Sequence, residues 1–525
     1  MGLTRRSFLE RLAGTAGATV TYEAMTALGL LAMPSNPPGA FELRGQAGGA
    51  EVLILGAGLA GMTVAYELGK LGYKTTILEA RMRPGGRCHT VRRGTISEEE
   101  GSTQTAAFDE GTYFNPGPMR IPHHHKSTLG YCKELGVPIE VFTDDNQNAY
   151  LYKSGATPAA GKRYRRREVA NDLSGYTSEL LAKALSQPAL NSPLTKADRD
   201  ALVEYLRREG ALGELSKYTG SPRRGYKTPP GAGHAPGEPS AAIPLHDLLE
   251  SRTGFYIQPE YLHNAPMFQV VGGTDRLATA MAERVKDRII FGAVVREIHQ
   301  TADGVSVVYE AEGQMKKATA RFGVCTIPLP ILAAIPVADF DPAIKIGIKS
   351  VGYAAVGKMG LQFKRRFWEE DDQIFGGMSR TDQDIAQIVY PSAGYLGSKG
   401  LLVGYYQAGV GALKTGAMSP AERQALALAQ GAVIHPQYPD AFETGFSVSW
   451  QQVPWSKGGW AGWSATGRKT TYAAMLKGDR NFYFAGEHMS YLVGWMAGAL
   501  ESGQQVASAI HARAGADVTR TASAV

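Results

Sequence analysis

The sequence predicts an α/β fold with more than one domain. Three observations predict it. Glu51-Val52-Leu53-Ile54-Leu55 is a short apolar run of buried-strand type, Ala60–Leu71 has helical character, and Tyr73–Glu79 makes a second strand. Together these form a β-α-β unit of about 30 residues. Far downstream, Phe482-Tyr483-Phe484 runs into a small-residue turn, and Met496–Ala514 reads as a helix. Between the two, residues 289–325 alternate and are β-branched, and 347–363 and 388–407 look like longer, aromatic-rich strands.

Composition bounds the reading. The chain has 525 residues, and a single core stops growing at roughly 250–300 residues, so more than one domain is expected. A content of 44% apolar and 20% charged residues excludes a disordered, collagen-like or coiled-coil chain. A net charge of +6 from 55 basic and 49 acidic residues is too weak to argue for nucleic acid. Glycine is in excess, at 63 of 525 (about 12% against a usual 7%), as a fold with many close backbone approaches requires. Cys88, Cys132 and Cys325 have no metal-type spacing and read as reduced, structural thiols. No run of 18 apolar residues occurs, so no membrane span is expected.

The N-terminus carries Thr4-Arg5-Arg6-Ser7-Phe8-Leu9 and then a small-residue run, Ala13–Thr21. This looks like a twin-arginine export leader. Glu10, Glu23 and the lack of a clean A-x-A site depart from that pattern, so a retained N-terminal arm is the other reading. Periplasmic and cytoplasmic locations both remain open.

The strongest motif is Gly56-Ala57-Gly58-Leu59-Ala60-Gly61, with a strand before it, a helix after it and Glu79 ending the second strand. In that context the pattern is a dinucleotide-binding fingerprint. Gly56 makes the tight turn, Gly58 admits the pyrophosphate, and Gly61 lets helix and strand pack. The helix N-terminus favours the anion. Glu79 can accept hydrogen bonds from a ribose. The segment Glu79-Ala80-Arg81-Met82-Arg83-Pro84-Gly85-Gly86-Arg87 adds a basic, glycine-rich turn, in which Arg87 offers a bidentate donor to phosphate.

This second segment resembles the nucleotide-binding signature of the flavin amine oxidase superfamily. The resemblance extends over about residues 50–510. It implies a Rossmann-like, glutathione-reductase-like FAD-binding domain interleaved with a mixed-sheet substrate domain and a helical insertion. Phe482-Tyr483-Phe484-Ala485-Gly486-Glu487 and Gly494-Trp495-Met496-Ala497-Gly498-Ala499 are similar to the family's closing half of the FAD site. FAD would thus touch Gly56, Gly58, Ala60, Gly61, Glu79, Ala80, Arg81, Gly86 and Arg87 in the first half. In the second it would touch Gly486, Glu487, Trp495 and Met496. Val294 would meet the adenine through its backbone, near the family-like Val270–Leu277 segment. Family members that bind flavin covalently use a cysteine in the C-terminal region. None lies beyond Cys325 here, so non-covalent FAD is implied.

Asn115-Pro116-Gly117-Pro118-Met119-Arg120-Ile121-Pro122 resembles the segment with which the family's L-amino acid oxidases border the flavin and hold the substrate carboxylate. Gly117, Met119 and Arg120 would line the cofactor, and Arg120 would present a planar fork of donors to the carboxylate. Tyr390, in Ile388-Val389-Tyr390-Pro391, matches the tyrosine that supplies a second donor. Lys358 matches the lysine that holds a water near the flavin. Trp460 and Trp495 resemble residues walling the substrate and facing the flavin, and the Gly494 carbonyl would accept from the amine. Lys358 and Trp495 are the catalytic candidates, and no general base is assigned. Neither His234 nor His246 aligns with the helical-domain histidine that many relatives carry. Neighbouring His123, His124 and His125 point in different directions, so no metal site is expected.

The expected boundaries are a leader or arm with linker at 1–48 and an FAD domain at 49–100, 265–345 and 478–514. A substrate domain follows at 101–160 and 346–477, with a helical insertion at 161–264 and a flexible tail at 515–525. The implied activity is oxidative deamination of an L-amino acid by oxygen, giving a 2-oxo acid, ammonia and hydrogen peroxide, with hydride passing from Cα to flavin N5. An L-amino acid 2-monooxygenase, another amine oxidase or dehydrogenase, and a non-catalytic FAD-binding protein are the alternatives. Side-chain specificity stays open between apolar or aromatic and basic substrates. The family's habit of dimerising implies a possible homodimer.

Overall fold

Glu51–Leu55 (β1) is buried on both faces. Val52 and Ile54 point into one apolar cluster, and Leu53 and Leu55 into another. That is the pattern of a central parallel strand covered on both sides. Leu59–Lys70 (α1) and Lys74–Glu79 (β2) complete the first unit. Ile289–Phe291 (β3), Phe322–Cys325 (β4) and Phe482–Phe484 (β5) join from remote parts of the chain. The five strands are all parallel in the order β3-β2-β1-β4-β5, the doubly wound arrangement whose ligands bind beyond the carboxyl ends of the strands. The last helix, Met496–Ala522 (α2), packs on α1 so closely that a β-carbon at Gly503 would lie 2.7 Å from the Ala60 carbonyl.

The computed structural model describes residues 41–46, 49–155, 160–185, 195–230, 237–256, 261–263 and 265–522. The leader-like segment and most of the linker lie outside the described residues. Leu43 onward forms one compact unit. No described helix is long and apolar enough to cross a membrane. The helix expected to stop at Ala514 runs on to Ala522, since the small residues read as a tail include good helix formers.

A second, seven-stranded sheet runs in the order Phe442–Ser449, Val356–Phe363, Gly400–Ala408, Gln387–Val389, Met378–Thr381, Tyr150–Tyr152, Arg163–Arg165. Its last strand lies past residue 160, so the sheet extends into the stretch expected to be insertion. A small three-stranded sheet pairs Ile121–Pro122 and Ile139–Phe142 with Met267–Val270. It brings the chain around residues 120, 144 and 263 to one place.

The insertion is built on Arg166–Leu185 and Lys196–Glu209, the latter opened by a Thr195/Asp198 capping box. Its glycine- and proline-rich loop is pinned by one carboxylate. Fully buried Asp172 accepts from Arg224, from the Tyr218 hydroxyl (2.6 Å) and from Ile243 N (2.7 Å). Arg224 is itself 1% exposed and also reaches the Ser240 carbonyl (2.5 Å). Removing one member of a buried pair leaves the other charge uncompensated. Asp172→Ala is therefore expected to cost about 3 kcal/mol locally and to raise amide exchange over 218–230 and 237–243. Unchanged exchange there would refute this assignment.

Candidate active site

One cavity of about 500 Å³ opens at the carboxyl ends of the parallel strands. Residues from both ends of the chain line it. Its floor is the turn between β1 and α1, and the three glycines there do different work. Gly56 has φ +109°, and a β-carbon on it would lie 2.5 Å from Thr326 Oγ1. A β-carbon on Gly61 would lie 2.1 Å from the Gly56 carbonyl oxygen. Gly61 thus sits behind the wall, where it lets α1 approach β1. Gly58 differs: its φ of −73° suits any residue, and a β-carbon would meet nothing within 4 Å. Packing within the protein gives no reason for glycine at 58, whereas close approach by a pyrophosphate does. Gly58 also caps α1 without a side-chain hydrogen bond, and the first turn has no acidic residue. Its N–H groups and dipole are left for an anion.

Glu79 ends β2 at the cavity with its carboxylate oriented by two backbone donors, Ala57 N (2.7 Å) and Arg81 N (2.9 Å). The second glycine turn docks on the first through Gly85 N to the Ala57 carbonyl (2.8 Å). Gly86, Ala60, Ala80, Val294, Gly486 and Met496 also line the cavity. Helix N-terminus, open glycine, carboxylate and a cleft of this size fit an adenine dinucleotide.

The three arginines of the basic turn have protein partners. Arg81 pairs with Glu98 (3.0 Å) and with Ser456 Oγ (2.9 Å). Burial works to raise the Glu98 carboxyl, but Arg83 and then Arg81 hold it down at about 2. Arg87, expected to pair with phosphate in bidentate fashion, instead donates through Nη1 to Glu487 Oε1 (2.9 Å) and to the Gly459 carbonyl (2.7 Å). A buried carboxylate on the closing segment takes up its charge. Glu487 also accepts from Ala461 N (3.2 Å) and Gly494 N (3.2 Å).

At the other end of the cavity stand Gly117, Met119, Arg120, Lys358, Tyr406, Trp460, Gly494 and Trp495. Lys358 is 2% exposed and donates to the carbonyls of Gly117 (2.5 Å) and Asn115 (3.4 Å), with Nζ 4.4 Å from the Tyr406 ring centre. Burial, and then the Arg120 charge, pull its pKa well below the ordinary lysine value. A neutral amine has two N–H donors and one lone pair, and the two carbonyls match the donors. Arg120 is 9% exposed and pairs with Asp144 (2.6 Å), and its Nη2 lies 3.3 Å from His263 Nε2.

Tyr390 is not in this cavity. It is fully buried, its hydroxyl 2.6 Å from both Ser379 Oγ and His435 Nε2, in a network that continues to Asp372 (2.8 Å). Successive residues of a strand face opposite sides. Val389 faces the cluster that includes Met119 and Tyr406, so Tyr390 turns into the core behind the sheet. The phenol on the cavity wall is Tyr406, the cross-strand partner of Lys358. Its hydroxyl has no hydrogen-bond partner among the described residues. Sequence reading also missed Asp144 and His263; His246 is exposed, and His234 lies outside the described residues. Pairing of Tyr406 with the Lys358 strand was a usable signal, whereas His263 reaches the site only through tertiary structure. Among the described residues no cluster suited to a metal occurs.

The glycines can be told apart by substitution. Gly58→Ala is expected to leave the melting temperature within about 2 °C of wild type but to weaken FAD retention. Gly61→Ala is expected to cost about 2 kcal/mol or more through overpacking. Equal effects on stability would refute the distinction. Lys358 gives a pH test. Below the ordinary lysine value of 10.5 the unfolded chain takes up a proton that the folded chain does not, so this side chain costs more stability as pH falls. Relative to wild type, Lys358→Met should gain stability as pH falls below about 10, at up to about 1.4 kcal/mol per pH unit. Denaturant melts that show a constant difference would mean that the amine is charged in the fold.

Comparison with known proteins agrees with this geometry. A Bacillus subtilis (strain 168) protein whose name assigns it provisionally to the L-amino-acid oxidases is 30% identical over 476 residues, covering 87% of this chain and 93% of that one. The L-amino-acid oxidase of Gloydius blomhoffii is 26% identical over 472 residues, covering 87% and 88%. Among solved structures, cyclohexylamine oxidase from Brevibacterium oxydans IH-35A superposes with a TM-score of 0.60 at 19% identity, covering 89% of this chain and 99% of that one. The model of the flavin-containing amine oxidoreductases matches residues 59–511, and the chain belongs to that family.

Proposed function

We propose that the protein is an FAD-dependent L-amino acid oxidase, converting an L-amino acid, oxygen and water to a 2-oxo acid, ammonia and hydrogen peroxide. The observation that carries this reading is the guanidinium of Arg120 on the wall of the cavity whose other end is the dinucleotide cradle. A simple amine gives such a group nothing to bind, whereas a carboxylate matches its planar donors. The names of the relatives support the same reading.

FAD, held without a covalent bond by the glycine turns, Glu79 and the segment around Glu487, would supply the two-electron acceptor. The chain's own residues do the rest. Arg120 fixes the substrate carboxylate, and Tyr406, rather than Tyr390, supplies a second donor. Gly494 turns with φ +79° beside Trp460, and its carbonyl accepts from the substrate amine. Trp460 and Trp495 exclude water from the reacting carbon, and fixed orientation supplies much of the rate. Lys358 Nζ, with both donors engaged, offers its lone pair to a water at the wall. Loss of two electrons and two protons from the Cα–N unit leaves an imino acid, which water hydrolyses.

One observation favours a second reading. Asp144 already matches the charge of Arg120, as an internal ion pair in an oxidase of simple amines would. L-phenylalanine and phenethylamine differ only in the carboxylate and so separate the two. Anaerobic flavin bleaching by the amino acid and not by the amine is expected; once air is admitted, turnover should give 2-oxo acid and peroxide, whereas an amide and CO₂ would mark a monooxygenase. Arg120→Ala should raise KM for L-phenylalanine about a hundredfold, the weight of a two-point charged contact, with FAD retained. Tyr406→Phe should raise it about tenfold, and Tyr390→Phe should change stability instead of KM. Bleaching by phenethylamine alone would overturn the proposal.

A further inference from the structure

Arg120 is held in a closed ring of contacts drawn from three separate segments. Its Nη1 meets Asp144 Oδ1 at 2.6 Å, and its Nη2 lies 3.3 Å from His263 Nε2. His263 Nδ1 in turn lies 3.3 Å from Asp144 Oδ2. The Arg120 contact suits a ring nitrogen that accepts, Nε2 taking an N–H of Arg120, while Nδ1 stands within ion-pair distance of the Asp144 carboxylate. The far side of the ring is also braced. The His263 ring meets Trp495 edge-on at 5.8 Å, the Arg120 guanidinium lies 6.0 Å from the same indole, and His125 packs against it at 5.0 Å. Asp144 is 8% exposed. His263 lines the cavity, on a three-residue turn at the end of the insertion.

An arginine side chain is long and loses about 2 kcal/mol of rotamer freedom when fixed. Two of its five N–H donors are spent on Asp144 and His263, which leaves three, and a planar carboxylate needs two of them. The contacts that occupy Arg120 therefore also aim it. We propose that Asp144 and His263 are positioning residues that pre-set the Arg120 guanidinium for a carboxylate ligand. The role rests on the proposal that Arg120 binds the substrate carboxylate. It adds that binding depends on two residues that need not touch the substrate. It also means that carboxylate selection is directional, because the ion pair cancels the bare positive field.

Benzoate, a carboxylate with no amine, probes this step apart from chemistry. Its affinity for the holoenzyme is read by calorimetry, alongside KM and kcat for L-phenylalanine. His263→Phe keeps a ring against Trp495 but loses both polar contacts. It should weaken benzoate and raise KM about tenfold, as loss of one hydrogen bond to a charged group implies, with kcat within about twofold and bound flavin unchanged. His263→Gln, whose amide oxygen can accept from Arg120, should recover affinity to within about threefold of wild type. Asp144→Asn should weaken benzoate in the same direction as His263→Phe. Unchanged benzoate affinity in both His263→Phe and Asp144→Asn overturns the proposal, as does loss of kcat with affinity kept. No recovery in His263→Gln overturns it too. If Arg120→Ala binds benzoate as wild type does, the carboxylate reading itself fails. If Arg120→Ala loses benzoate while the His263 and Asp144 variants keep it, only the positioning role fails.

Discussion

One buried carboxylate holds the two halves of the site together. Glu487 is 6% exposed and accepts from Arg87, Ala461 N and Gly494 N, groups drawn from positions up to 400 residues away in sequence. A charge taken out of water is tolerated only when it is matched and hydrogen-bonded. Here that demand selects one closure: the glycine turn after β2, the strand edge at 461 and the turn before α2 must meet at one point. The parallel pairing of β1 with β4, and of β4 with β5, brings the segments near. Glu487 then fixes them to within a hydrogen-bond length.

The same logic runs through the other ionisable groups of the cavity, and it sets how the site can select a ligand. Arg87 is matched by Glu487, Arg81 by Glu98 and Arg120 by Asp144, while burial pulls the pKa of Lys358 well below the ordinary lysine value. The cavity therefore has little unbalanced side-chain charge to draw in anions at large. Attraction comes instead from oriented donors: the uncapped start of α1 at one end and the aimed guanidinium at the other. In a low-dielectric cleft, such dipoles discriminate by geometry, because a misdirected polar group there costs more than it would in water.

The cradle was legible in the sequence because its determinants are local. An apolar strand, a glycine turn, a helix and an acidic strand end lie within thirty consecutive residues, and the contact that fixes Gly61, with the Gly56 carbonyl, is internal to that stretch. The substrate wall was legible only in part. Arg120 and Lys358 were placed by motif, and the cavity contains both. Tyr390 failed by one strand position, since a motif match gives identity and spacing but not which face of a sheet is turned inward. Arg87 shows a different limit: it lines the cavity, but the partner of its Nη1, Glu487, lies at the far end of the chain. Asp144 and His263 carry no local pattern at all and meet Arg120 only after the small sheet has formed.

That division has a mechanical side. The cradle stands on five parallel strands, the central β1 buried on both faces, with α2 packed closely on α1. The Arg120 cluster hangs from strands of two to four residues, Ile121–Pro122, Ile139–Phe142 and Met267–Val270, and from the three-residue turn that ends at His263. Short strands and turns have fewer cooperative contacts than a central sheet, and they open locally at lower cost. The contacts that set Arg120 are correspondingly side-chain bonds between segments, and they do for that corner what ladder hydrogen bonds do for the cradle. Precision where the ligand's carboxylate would sit thus depends on a handful of polar distances and not on the fold at large. A chain can keep the sheet and the glycine turns while changing those distances, so ligand choice at that corner is separable from the fold that carries it.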